Sequence, residues 1–402
     1  MISYENLKNL ATEWGIGEHV VEKNYVIGWV LWGIGQDKDV GHQWIFKGGT
    51  CLKKCYLETY RFSEDLDFTV IQGGPIEIEN VQPILKRILD RVHDESGINF
   101  SLREPLVKKK RFPFYAEGRI YYQGPRNAPS PASIKIDLLS SEKIVHVPVR
   151  NNIAHSYPDD LPKNAKVMCY SLEEIFAEKI RAMGERSMPR DLYDIVFLFR
   201  EKLNKVKGAL VKSLLIAKCK TKGVPISTFE LIKNSPGLEE LKSEWANMLA
   251  HQLPALPPFE EYWNALPNLF DWLENKYQLP ELEPIKTKAG DEWISKPVGA
   301  TLELIRKKPV EALRFAAINH LCVEMKYRKQ GTYLKNYVIQ PYALRQSKED
   351  NIILYAVKVN EYRAKAFRLD WIESVNLTAN PFKPKHPIEF PEFGTVYAPA
   401  IA

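Results

Sequence analysis

The segment Phe46-Lys47-Gly48-Gly49-Thr50, followed at a short distance by Arg61-Phe62-Ser63-Glu64-Asp65-Leu66-Asp67-Phe68, constrains this chain most. Gly48 and Gly49 lack a Cβ, so the backbone can turn tightly there and bring its amides close to an anion. Cys51 to Glu58 reads as a helix whose N-terminal end favours negative charge. Lys53, Lys54 and Arg61 add positive charge nearby. In an extended strand, residues two apart share a face, so Asp65 and Asp67 point together while Leu66 and Phe68 enter the core. Such carboxylates are hard oxygen donors suited to Mg²⁺ or Mn²⁺. Magnesium takes one or two protein carboxylates and completes its shell with water and substrate phosphate, so the Asp-x-Asp strand implies a phosphate partner, and its combination with the glycine turn suggests nucleotide transfer.

A site of this kind needs a third carboxylate from a neighbouring strand. Ser133-Ile134-Lys135-Ile136-Asp137-Leu138-Leu139 supplies one, its alternation placing Lys135 and Asp137 on one face and Ile134, Ile136 and Leu138 on the other. Ser171-Leu172-Glu173-Glu174 is a capping box that starts a helix running to about Gly184. Lys179 sits in or beside its apolar stripe, where an ammonium needs an anionic partner or must snorkel to water. Ser187-Met188-Pro189-Arg190-Asp191-Leu192-Tyr193-Asp194 starts the next helix, with proline near its first turn. Asp191 and Asp194 are one turn apart and can both face the site, although Asp191 equally suits a helix N-terminus beside Arg190.

The segment FKGGTCLKKCYLETYRFSEDLDF resembles the AbiEii toxin family of nucleotidyltransferases, within the superfamily that includes DNA polymerase β. The Glu22-Lys23-Asn24-Tyr25 lead into a tryptophan-containing helix is similar to that family too, and its aromatics are assigned to packing. The resemblance covers roughly residues 1 to 280. It implies that Asp65, Asp67 and Asp137 hold Mg²⁺ or Mn²⁺, with Lys179 joining them as catalytic. It places Gly48, Gly49, Thr50, Lys53, Arg61, Ser63, Lys135, Arg190, Asp191 and Asp194 in the nucleotide-binding set. It implies a toxin of a toxin–antitoxin or abortive-infection system in phage defence, with a cognate antitoxin as partner. The toxin would transfer a nucleotide from a nucleoside triphosphate (NTP) to RNA, the acceptor end of tRNA being one candidate. Nucleotidylation of a protein hydroxyl is an alternative, and a non-catalytic sensor that binds NTP or nucleic acid is another.

A chain of 402 residues can bury a sizeable core in two or three domains. Its net charge of +6 permits a nucleic-acid partner without requiring one. Lys108-Lys109-Lys110-Arg111 is the densest basic run and reads as a solvated strand end or a contact to a nucleic-acid backbone. The five cysteines, at 51, 55, 169, 219 and 322, lack metal-ligand spacing, and Cys51 and Cys55 read as small core residues. No signal peptide or membrane span is evident, which predicts a cytoplasmic protein.

The fold class expected is α+β. A polymerase β-like core over 1–204 precedes a helical domain over 205–285, marked by Trp245, Trp263 and Trp272. Lys286 to Gly299 reads as a linker. After a helix near Val310 to His320, alternation at Val323, Met325 and Tyr327, at Tyr337 and Ile339, at Ile352 and Leu354, and at Phe367, Leu369 and Trp371 predicts a small SH3-like barrel over 300–402. That region resembles the WYL domain, with Ile353-Leu354-Tyr355 in place of its usual tripeptide. The resemblance implies a nucleic-acid or nucleotide ligand near Tyr342, Arg345, Arg363 and Arg368.

Overall fold

The computed structural model describes residues 1–57, 60–110, 115–203, 205–285, 309–346 and 351–390. They form two compact units. The first comprises Met1–Ile195, Leu203–Leu253 and Leu273–Asn275; the second comprises Val196–Lys202, Pro254–Trp272 and the described part of Lys276–Ala402.

A seven-stranded mixed sheet organises the first unit, in the order β3-β4-β5-β2-β1-β7-β6. Its strands are β1 (Trp44–Lys47), β2 (Asp65–Val70), β3 (Leu106–Lys110), β4 (Tyr115–Tyr122), β5 (Ala132–Leu139), β6 (Val149–Asn152) and β7 (Lys166–Cys169). Strand β1 is buried throughout and packs Phe46 on Phe68, ring centroids 5.2 Å apart. Helix α1 (Tyr4–Trp14) leads into α2 (Glu18–Gly35), which is apolar nearly all round and correspondingly buried. Its aromatics do pack inward: Trp29 meets Trp32 edge to face at 5.8 Å, and Tyr25 meets Tyr157 at 5.0 Å.

The glycine pair opens a short helix, α3 (Gly48–Cys51), that continues as a π-helical turn over Leu52–Tyr56; Glu58 lies outside the described residues. Helix α4 (Ile78–Ser96) has a strongly amphipathic pattern and buries Ile84, Leu85, Ile88 and Val92. Only the N-cap half of the expected capping box forms: the Ser171 hydroxyl accepts from the Glu174 amide at the start of α5 (Leu172–Arg186), while the Glu174 carboxylate turns away to accept from the Val145 and His146 amides. Helix α6 (Pro189–Lys202) follows, with proline at its first position, and then α7 (Gly208–Lys222). Short helices continue the helical pattern as far as Leu266–Leu273.

In the second unit, the helix Pro309–Ile318 packs on an antiparallel sheet of β8 (Leu321–Tyr327), β9 (Lys335–Gln346), β10 (Ile352–Lys358), β11 (Lys365–Arg368) and β12 (Ile372–Pro381). Its order is β11-β10-β9-β8-β12. The alternation read from the sequence is therefore a small β unit, but not a closed barrel. Strand β11 has four residues and β12 lies at the opposite edge, and among the described residues no ladder joins them. Tyr342, Tyr355, Val357 and Phe382 form its core, and Ile285 joins them from before the proposed linker. The linker itself, Lys286 to Gly299, lies outside the described residues. The four side chains expected to line an anion site are mostly engaged within this unit. Tyr342 is wholly buried, Arg345 pairs with Glu389 at 2.7 Å, and Arg368 pairs with Asp370 at 2.6 Å over the Trp371 ring. Only Arg363 of that set is exposed. Among the described residues, no helix is long and apolar enough to cross a membrane.

Candidate active site

Strand β2 lies between β1 and β5, and that position assembles the site. Parallel pairing sets Asp65 opposite Lys135 and Asp67 opposite Asp137, while antiparallel pairing with β1 sets Lys47 opposite Asp67. Because side chains alternate along a strand, these registers put all three carboxylates on one face. Gly48 has φ +81°, and a Cβ added there would lie 2.5 Å from Asp67 Oδ2, so only glycine lets the loop pass so close to the carboxylate. A Cβ on Gly49 would meet Arg61 Nη2 at 2.7 Å and Ser63 Oγ at 3.1 Å. The Thr50 hydroxyl ties the loop to β2, hydrogen-bonding the Asp65 carbonyl oxygen and lying 2.9 Å from Ser63 Oγ.

The carboxylates differ in how far they are satisfied. Lys135 Nζ lies 2.6 Å from Asp137 Oδ2, while Asp137 Oδ1 is buried without a hydrogen bond. Asp65 and Asp67 have no hydrogen bond or ion pair to another described side chain. Burial pushes the Asp67 carboxyl up to about 6, Lys47 opposing and Asp137 and Asp65 adding to the rise. Burial also raises Asp65, against the pull of Lys135. An unpartnered buried oxygen and like charges held together cost free energy unless a cation joins them, and hard oxygens suit a divalent one. The donor set therefore fits Mg²⁺ or Mn²⁺. The three carboxylates remain open: among the described residues, the one trio of ligating side chains whose donor atoms close to within 4.8 Å of one another is Cys51, Cys55 and Cys169.

A second layer of charge stands behind the loop. Lys179 Nζ lies 2.7 Å from Asp194 Oδ2 and 3.7 Å from Asp191 Oδ1. Arg61 grips Asp194 bidentately at 2.7 and 2.8 Å, Tyr60 also donates to it, and Arg186 grips Asp191 at 2.7 and 3.0 Å. Burial alone would raise Asp194, but Arg61 and Lys179 hold it well below the usual carboxylate range. Asp191 and Asp194 are thus wholly buried and saturated by cations, positioning Lys179 and Arg61. Arg190 differs. Its Nε is buried without a partner, and burial together with Arg61 lowers its pKa against the pull of Asp65. A half-buried guanidinium beside Asp65 and short of acceptors is suited to phosphate oxygens. Lys53 lies 4.7 Å over the Phe62 ring.

Reading the sequence missed Lys47 and its partners. Lys47 is buried and pairs with Glu142 and, at 2.8 Å, with Glu178; Glu178 is shared with Lys218 at 3.4 Å, and Arg181 reaches Glu142 at 3.2 Å. The available signal was a lysine ending the apolar strand Trp44-Ile45-Phe46, a position that demands buried acids. The basic run is partly engaged as well, with Lys109 pairing to Glu77 at 2.6 Å; Arg111 lies outside the described residues.

No curated protein matches the chain. Among solved structures, MenT4, a nucleotidyltransferase toxin of Mycobacterium tuberculosis H37Rv, aligns at 16% identity over 69% of this chain and 100% of its own, with a TM-score of 0.38. A crystal structure from H. pylori, provisionally described as a nucleotidyltransferase, aligns at 17% identity over 66% of this chain and 100% of its own, with a TM-score of 0.37. A family profile described as nucleotidyl transferase AbiEii toxin, type IV TA (toxin–antitoxin) system, matches residues 30–271, which span the glycine loop and every carboxylate of the site. This chain belongs to the AbiEii nucleotidyltransferase toxin family.

Proposed function

We propose that the chain transfers a nucleoside monophosphate from an NTP to an RNA acceptor, with the acceptor end of tRNA as the first candidate, and thereby arrests growth as the toxin of a toxin–antitoxin or phage-defence system. The observation that carries this reading is the placement of Asp65, Asp67 and Asp137 on one sheet face, beside a loop that only Gly48 allows so close to Asp67. Asp65 and Asp67 would hold the metal on the triphosphate, and Asp137 a second one near the acceptor hydroxyl. Bound there, Mg²⁺ or Mn²⁺ neutralises charge on the attacking and leaving oxygens. The chain's own groups do the rest. The Gly48 and Gly49 backbone and Thr50 seat phosphate, and Arg190, together with Lys179 as positioned by Asp194 and Asp191, supplies positive charge to it. Lys135, 2.6 Å from Asp137, would add positive charge near the acceptor.

Membership of a type IV toxin–antitoxin family supports a cognate antitoxin as partner. Any sensing of nucleotide or nucleic acid by the C-terminal sheet, as a WYL-like module, would use surfaces other than Tyr342 and Arg345, which are buried.

The test is to incubate the purified chain with Mg²⁺ and each α-labelled NTP, with total RNA and with cell protein. Label in RNA supports the proposal. Label in protein moves the acceptor to a side-chain hydroxyl, and label in neither leaves a binding module.

A further inference from the structure

Two cysteines one helical turn apart, Cys51 and Cys55, meet a third from far along the chain, Cys169, next to the glycine loop. Cys51 closes α3, Cys55 lies in the π-helical turn Leu52–Tyr56, and Cys169 ends β7, paired in register with Phe46 of β1. All three are buried and free, and their Sγ atoms lie within 4.8 Å of one another. A buried cysteine is often a small apolar residue, and burial of each one needs no other explanation. Convergence of three on a common point does. The thiol is a weak donor and a weak acceptor, so the sulfurs gain little from one another. Thiolates around a point are instead the donor set of a soft cation. A Zn–S bond of about 2.3 Å sets tetrahedral sulfurs ~3.8 Å apart, within the spread seen here. The Tyr56 hydroxyl is 3.7 Å from Cys169 Sγ and donates its proton to the Tyr170 carbonyl at 2.6 Å, which leaves an oxygen lone pair for a fourth position. π-Helical turns are rare and concentrate at functional sites.

We propose that Cys51, Cys55 and Cys169 bind a structural Zn²⁺ ion that staples the element after Gly48-Gly49 to strand β7. Zinc suits the site better than Cu⁺ because three thiolates leave one net negative charge on the former and two on the latter, and buried net charge is costly. Binding replaces three S–H bonds by three Zn–S bonds and releases three protons to solvent. The hard oxygens of Asp65, Asp67 and Asp137 form a separate site, so this inference stands whether or not the chain transfers nucleotides.

The full-length chain, freed of metal by a chelator under reductant, would be titrated anaerobically with Co²⁺ in the presence of excess Mg²⁺. One equivalent should bring up sulfur-to-cobalt charge-transfer absorption and the visible bands of tetrahedral cobalt. Zn²⁺ should then bleach both and raise the melting temperature. Cys51→Ala and Cys169→Ala should lose the bands and the thermal shift, while Cys219→Ala, at a buried cysteine outside the trio, should keep them. Should Cys169→Ala fail to fold by circular dichroism, Cys51→Ala decides, since alanine suits its helical position. Absence of thiolate bands in the folded parent, bands that persist in Cys51→Ala, or a disulfide among the three in protein purified without reductant would each overturn the proposal.

Discussion

Asp67 and Asp137 occupy directly paired positions on the parallel strands β2 and β5, and of the two only Asp137 is ion-paired, with Lys135 at 2.6 Å. Asp67 is left with Gly48 against its oxygen and with burial pushing its carboxyl up to about 6. A carboxyl raised above its unfolded value adds stability at low pH and loses it as pH rises through the folded value. At pH 7 the charged form therefore destabilises the metal-free fold. Asp67→Asn should raise the melting temperature of metal-free protein at pH 7. Because Asp67 is partly exposed, the gain is on the order of 1–2 kcal/mol after allowance for solvent screening. The same variant should lose labelling of RNA and growth arrest. A variant as toxic as the parent would remove Asp67 from the chemistry.

Metal binding should follow the same proton. Below pH 6 a proton competes for Asp67, so Mn²⁺ affinity measured by calorimetry should fall about tenfold per pH unit there and level off above pH 7. In Asp67→Asn that slope should vanish. A slope that survives would assign it to another carboxyl.

Lys179 and Asp194 should separate function from stability. Asp194 is wholly buried and faces Arg61, Lys179 and Tyr60, so Asp194→Ala strands two cations and a phenol, at a cost of about 3–5 kcal/mol in urea unfolding. Its depressed pKa gives the sign with pH: its contribution is full above the ordinary carboxylate range, near ~4, and is lost as pH falls below it. Lys179→Met leaves Asp194 with Arg61 and Asp191 with Arg186 and keeps the aliphatic volume, so its cost should stay within about 1–2 kcal/mol while NTP affinity falls. A Lys179→Met protein as unstable as Asp194→Ala, with nucleotide binding intact, would make the lysine structural.

What the sequence disclosed and what it hid divide along sequence distance. The Asp-x-Asp face, the Gly48-Gly49 turn and the Ser171 cap are each set by neighbours within a few residues, so their residue types alone revealed them. Register between strands is not so encoded. Cys169 joins Cys51 and Cys55 through the pairing of β7 with β1, and Lys47 finds Glu142 and Glu178 across loops and helices, so spacing in the chain gave no sign of either cluster. Asp191 and Asp194 illustrate the converse. Their helical spacing was plain, but that Arg186 and Arg61 saturate them depends on tertiary contacts, which tie both carboxylates to cations next to Lys179. In the C-terminal unit the alternation was legible, whereas closure into a barrel depends on which edges meet.

Truncation tests how far the C-terminal unit can be removed. A break near Pro284 looks natural in sequence because every residue assigned to chemistry precedes residue 200. The structure places that break inside a core. Ile285 packs with Tyr342, Tyr355 and Phe382, the Glu283 amide donates to the Lys385 carbonyl at 3.2 Å, and the Tyr262 hydroxyl donates to Asn319 at 2.5 Å. A fragment ending at 284 would keep Tyr262, Phe259 and Trp272 while losing Asn319 and the sheet, leaving apolar surface uncovered. It should aggregate or melt well below the full chain in calorimetry, and any loss of labelling would then follow the loss of fold. Single substitutions on exposed residues of the sheet, Arg363→Ala foremost, leave that core intact and are the cleaner probe of acceptor choice. A fragment ending at 284 that stays monomeric, melts with the parent and labels RNA would show that these contacts contribute little.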